Sequence, residues 1–279
     1  MKRLLIIRAL VILLTIFAAC GSDDEVVAEI NEVSYAAMDY HFEGPQFLPS
    51  GMTELTLVNQ GMELHHQQLL TLREGMTVDD SMAGLMSREE GPPPPGVDAA
   101  GGVGALTPGL SGNVTLNLTP GNYVMLWLVP NAEGAPHVAL GMVKPITVIE
   151  SGAPPVAEPE ADLTIGMVDF GFAPSTAISS GVQNIRVTNQ GEQDHEAFQI
   201  MLNPGATVED FLGAFEPGAP PGPPPGQGFG GFQAIAPSGG GTFTVDFGAG
   251  DYALVCFVTD PTTGAPHFAL GMIHEFTVQ

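Results

Sequence analysis

The chain has 279 residues, 44% of them hydrophobic and only 14% charged, with 31 acidic against 7 basic side chains. So apolar a composition belongs to a globular chain rather than a disordered acidic one, and a formal charge of −24 repels phosphate, which excludes nucleic acid as a partner. The length suits two modest domains, and 36 Gly with 25 Pro favour strands joined by long turns over a helical bundle.

At the N-terminus, Met1-Lys2-Arg3 is a short basic head. An apolar run follows and ends in Phe17-Ala18-Ala19-Cys20. The run is shorter than a comfortable membrane span and closes on small residues, as an export signal does. Residues 1–19 are therefore expected to be a signal peptide. The stretch before Cys20 resembles the lipobox of bacterial lipoproteins, although Phe17 stands where that motif usually has an aliphatic residue. The resemblance implies lipidation of Cys20, an acidic tether over residues 20–31, and an extracytoplasmic protein held to the membrane by its N-terminal lipid, in the periplasm or on the cell surface.

The rest of the chain is a tandem duplication. Asn59-Gln60-Gly61 recurs as Asn189-Gln190-Gly191, and Asp39-Tyr40-His41-Phe42 as Asp169-Phe170-Gly171-Phe172, each at an offset of 130. Thr77-Val78-Asp79-Asp80, Gly134-Ala135-Pro136-His137 and Leu140-Gly141-Met142 recur at the same offset. The copies are assigned to residues 32–150 and 162–279, joined by a Pro-rich linker over 151–161. In the first copy Val114, Leu116 and Leu118 alternate with polar residues; in the second, Phe243, Val245 and Phe247 do. This period of two predicts strands with one buried face. Thr77 and Thr207, each followed three residues later by Asp, predict one short helix per copy. The Gly- and Pro-rich stretches around Pro92 to Pro95 and Pro223 to Pro225 are expected to be exposed flaps.

Four residues of the second copy stand out: His195, Cys256, His267 and Met272. His195 follows an Asn-x-Gly turn, and the other three fall in the connection between the last two apolar runs. An isolated His followed by Cys, His and Met in one loop is the ligand order of a type 1 copper site. Two imidazoles and a thiolate form a trigonal plane acceptable to both Cu(I) and Cu(II), and a weak axial thioether completes it. Cys256 also has no disulfide partner if Cys20 carries lipid, and a lone thiol in an oxidising compartment is a hazard unless something occupies it.

On these residues the second copy resembles the cupredoxins, and the first does so through the duplication. The resemblance implies an all-β fold of two tandem cupredoxin-like, antiparallel Greek-key β-sandwich domains. It also implies one copper ion in the C-terminal domain, with His195 and His267 as nitrogen ligands, Cys256 as thiolate and Met272 as axial ligand. His267 would lie near the surface as the electron port, flanked by an apolar docking patch of Phe268, Ala269 and Leu270. Two positions depart from the family pattern. Ten residues separate Cys256 from His267, more than in the small electron-transfer cupredoxins, and Glu196 stands where an Asn often braces the ligand loop.

In the first copy, alignment of Tyr123 with Tyr252 places Trp127 where Cys256 sits. His65, His137 and Met142 persist, so the alternatives are a weak His/Met copper site or a domain kept for structure. Val255 precedes Cys256 where copper nitrite reductases carry a His, and the chain has no His-x-His pair of the multicopper oxidase kind. These features lead to the expectation of no enzymatic activity. The leading expectation is extracytoplasmic electron transfer, the acidic surface steering a basic partner such as a cytochrome or a membrane oxidase. The alternatives are a copper carrier or buffer that delivers copper to a membrane oxidase, and a metal-free cell-surface binding module.

Overall fold

The computed structural model describes residues 29–86, 95–129, 131, 134–215 and 222–279. The leader, Cys20 and Pro92 to Pro94 lie outside the described residues.

The described chain folds as two all-β units, each of two sheets packed face to face. In the first unit Ser111–Leu118 and Gly51–Asn59 pair antiparallel, with Val114, Leu116 and Leu118 turned into the core as the alternating sequence predicts. In the second, Gly240–Phe247 pairs with Gly181–Asn189, and Phe243, Val245 and Phe247 face inward. The opposing layers are formed by Gln68–Leu72, Gly121–Leu126 and Val143–Ile149 in the first unit, and by His195–Leu202, Gly250–Val255 and Ile273–Val278 in the second. Tyr123 and Tyr252 anchor matching corners, each phenol donating to a carbonyl four residues back: Thr119 O at 3.0 Å and Gly248 O at 3.1 Å. Helices follow Thr77 and Thr207, Val78–Met86 and Val208–Gly213. Thr207 closes a full capping box with Asp210, which satisfies amide donors the helix leaves open.

The sheets depart from the expected antiparallel pattern. Asn31–Met38 runs parallel to Gly51–Asn59, and Leu163–Val168 parallel to Gly181–Asn189. In the first unit the cause is a detour. After its hairpin with His41–Glu43, the chain crosses to the other layer, where Phe47–Pro49 pairs parallel with Val143–Ile149, before returning beside its first strand.

A second departure lies just after Pro223 to Pro225. Pro223 is exposed and Pro224 and Pro225 are half-buried, and directly after them Gly226–Ile235 is a strand with Phe232 and Ile235 buried. Residues 99–107 of the first unit run antiparallel along it. Gly101 N donates to Ala234 O, Gly104 N to Gly231 O, and Gly230 N to Ala105 O, each at 2.9 Å. The glycines are what permit this approach, because a Cβ on Gly104 would lie 2.1 Å from Gly230 O. The inner sheets also meet, at Thr115 and Thr242, so one eight-stranded sheet spans both units.

Candidate metal centre

The site in the second unit is assembled by two turns. At the end of Gly181–Asn189, the Asn189 side chain holds the first of them. Its Oδ1 accepts from Gly191 N (3.0 Å), and its Nδ2 donates to Gln193 O (2.7 Å) and Ile235 O (2.8 Å). This delivers His195 as the first residue of His195–Leu202, with no exposed surface. The second turn begins at Cys256, directly after Gly250–Val255. Asp260 braces the loop beyond it, accepting from the amides and hydroxyl of Thr262 and Thr263. A short 3-10 turn, His267–Leu270, follows and is closed by Gly271 in the left-handed region at φ 110°. Backbone bonds then tie the loop to itself: Phe268 N to Cys256 O (2.9 Å), Met272 N to His267 O (3.0 Å) and Cys256 N to Met272 O (3.3 Å).

Three of the four predicted residues bring donor atoms together. His195 Nδ1 lies 3.1 Å from His267 Nδ1, and Cys256 Sγ lies 3.4 Å from His267 Nδ1. Among the described residues, these three form the one group of His, Cys, Asp or Glu whose donor atoms converge in this way, and all three are buried. Met272, also fully buried, joins the cluster through its backbone.

The surrounding hydrogen bonds show what the cluster is suited to hold. His195 Nε2 lies 2.5 Å from Asp169 Oδ1, and His267 Nε2 lies 3.0 Å from Gln193 Oε1. The Gln193 amide is oriented by donation from its Nε2 to Asp260 Oδ1 (3.0 Å). Both ring Nε2 atoms therefore face acceptors and carry the proton, which leaves both Nδ1 atoms unprotonated. Two nitrogen lone pairs 3.1 Å apart, with sulfur beside them, make a place where a cation would be held. The donor set, two imidazoles and a sulfur, fits a soft transition metal such as copper, and the outer acceptors are those that orient metal-ligating histidines.

The electrostatics agree. Burial lowers the His195 ring despite the opposing Asp169 carboxylate, and burial together with His195 brings His267 down to about 4. Both rings are thus neutral at neutral pH. Burial would raise the Asp169 carboxyl, but the Glu192 amide and His195 outweigh it and hold it below the ordinary carboxylate range. Burial, then the nearby Glu196 carboxylate, push the Cys256 thiol well up, so a metal binding here displaces a proton. Glu196 itself is tied in, with Oε1 accepting from Phe257 N at 2.7 Å and its own amide 3.5 Å from Cys256 Sγ. The position where an Asn was expected to brace the loop is therefore braced by a carboxylate.

The expected surface port is corrected. His267 has no exposed surface, because the Gln193 amide covers its outer nitrogen. Phe268 is half-buried, while Ala269 and Leu270 are exposed.

The first unit keeps the residues but not the convergence. His65 Nδ1 lies 2.9 Å from Asn59 Oδ1, and His137 Nδ1 lies 2.6 Å from Val129 O. Both Nδ1 atoms therefore donate to protein oxygens instead of facing each other. Trp127, 1% exposed, fills the place of the thiol and contacts both rings edge-on, at centroid distances of 6.1 and 5.6 Å. Met142 is buried in the core.

Sequence reading missed Asp169 and Gln193. Asp169 lay within a repeated anchor, and so did the glycine that admits it. A Cβ on Gly191 would sit 2.3 Å from Asp169 Oδ1 and 2.5 Å from His195 Nε2.

Fold and site together define a two-unit all-β protein with one buried His/Cys/His metal-binding cluster. Against known proteins, no family model and no curated sequence matches the chain. Among solved structures it is similar to dithionite-reduced auracyanin from Roseiflexus castenholzii, at 20% identity over 44% of this chain and 99% of that one, with a TM-score of 0.31. It is also similar to auracyanin B, at 23% identity over 43% and 88%, TM-score 0.31. A multicopper oxidase is similar at 14% identity over 90% of this chain and 89% of that one, TM-score 0.28. The expectation of no enzymatic activity is not supported by these similarities, which include a multicopper oxidase and a copper-containing nitrite reductase.

Proposed function

We propose that the second unit is a cupredoxin-type centre holding one copper ion between His195, Cys256 and His267, with Met272 as the weak axial ligand, and that the protein transfers electrons through it. The observation that carries this reading is the pair of Nδ1 atoms facing each other 3.1 Å apart beside a buried thiol. Burial of the set, with each ring braced from outside, favours a centre whose ligands stay in place as the metal changes oxidation state. The acidic surface favours a basic redox partner, such as a cytochrome or a membrane oxidase. The N-terminal leader and Cys20 favour an extracytoplasmic location with a lipid anchor.

The test is a visible absorption spectrum after addition of one equivalent of Cu(II). An intense thiolate-to-copper charge-transfer band, absent in Cys256→Ser, is the expected result. A colourless protein, or weak bands that the substitution leaves unchanged, would reject the reading.

A further inference from the structure

A cavity of about 420 Å³ opens between the two units, within the roughly 300–1,000 Å³ typical of small-molecule sites. Its walls are apolar: Trp127, Leu128 and Val129 from the first unit, and Phe198, Phe215 and Phe257 from the second. Leu128, Val129, Phe215 and Phe257 are 38–58% exposed and form the rim. Trp127, His66 and Glu196 are at least nine-tenths buried and form the floor.

Two floor groups have unused hydrogen-bonding capacity. Glu196 spends Oε1 on the Phe257 amide, and no donor among the described residues reaches its other oxygen. His66 stands edge-on to Trp127 at a centroid distance of 4.0 Å, and its Nε2 has no partner. An unpaired buried nitrogen such as that of His66 is costly, and a pocket that is apolar except for a few convergent polar groups is the usual form of a ligand site. Among the described residues no lysine or arginine lines the cavity, so an anionic ligand would find no cation there to pair with.

We propose that this cleft binds a small uncharged hydrophobic molecule with one hydroxyl or amine donor, the donor meeting Glu196 and the apolar body lying between Trp127 and the phenylalanine rim. The cleft shares Glu196 and Phe257 with the bracing of the metal-centre loop, but it can be tested in the metal-free protein. Trp127 is the single tryptophan of the chain, so its emission reports occupancy directly. The full-length protein, with and without Cu(II), is titrated with 4-tert-butylphenol. Saturable quenching or a spectral shift at one equivalent is expected. Tert-butylbenzene, which lacks the donor, and 4-tert-butylbenzoate, which carries a charge, should each bind at least tenfold more weakly. Leu128→Glu and Phe215→Glu alter exposed rim positions and should each weaken the phenol at least tenfold without changing the circular dichroism spectrum. Quenching that never saturates, equal binding of the three probes, or rim variants that bind like the parent would overturn the proposal. Because the metal-free arm needs no copper, failure there leaves the metal centre untouched, and a missing charge-transfer band leaves the cleft untouched.

Discussion

Asp169 Oδ1 lies 2.5 Å from His195 Nε2, on the side of the ring away from the nitrogen that faces His267 and Cys256. The carboxylate thereby decides which nitrogen keeps its proton, and so which one is free for a metal. Orienting partners of this kind typically contribute about 10–100-fold to metal affinity. Asp169→Ala is expected to lose about that much copper affinity while remaining folded, as read by competition with a Cu(II) chelator. Unchanged affinity would mean that the tautomer is set by something else.

Gly191 is predicted to accept no side chain. Because its Cβ would collide with both Asp169 and His195, Gly191→Ala should part that pair and weaken copper binding. It should also cost about 1–3 kcal/mol, as overpacking usually does, measured by denaturant unfolding. Gly61→Ala, which crowds Asp39 and His65 in the first unit, should lower stability and leave copper binding as it was.

The two tyrosine corners should behave alike. Removal of the hydroxyl in Tyr252→Phe leaves Gly248 O without its donor and should cost about 1 kcal/mol. Tyr123→Phe should cost a similar amount through Thr119 O. Unfolding midpoints of the two variants check this, and no shift in either would show that water replaces the phenol at no loss.

Asp260 sets an acid limit for the loop that carries His267. The Thr263 hydroxyl above all, with the Thr262 and Thr263 amides and Gln193, holds its carboxyl down to about 2 against the opposing push of burial. A carboxyl whose folded pKa is depressed contributes stability above its unfolded value, about 3.9, and loses it as pH falls through about 2. Loop stability should therefore decline between about pH 4 and pH 2. Asp260→Asn should flatten that decline, as followed by acid titration of the near-ultraviolet circular dichroism.

What the sequence made legible was mostly local. Cys256, His267 and Met272 fall in one loop, the Asn189-Gln190-Gly191 turn pointed to His195, and the duplication to the loss of the thiol at Trp127. Alternation at Val114 to Leu118 showed which side faces inward but not which way a neighbour runs, so the parallel pairing of Asn31–Met38 stayed hidden. Asp169 is 26 residues from His195 and Gln193 is 74 from His267, distances at which spacing says nothing about contact. The strand Gly226–Ile235 was not foreseen because its partner, residues 99–107, belongs to the other unit. The tautomer reversal in the first unit stayed hidden for a different reason: Asn59 and Val129 are only 6 and 8 residues from His65 and His137, but which ring nitrogen meets their oxygens depends on the loop conformation.

The backbone ladder between residues 99–107 and Gly226–Ile235 changes what the Pro-rich linker is for. Residues 151–155 are exposed and open to a protease, yet cutting them would sever none of the hydrogen bonds that join Gly101, Gly104 and Ala105 to Ala234, Gly231 and Gly230. A nicked chain should therefore migrate as two fragments under denaturing conditions and as one particle in native solution. The two halves behave as subunits of a dimer that happens to be translated as a single chain.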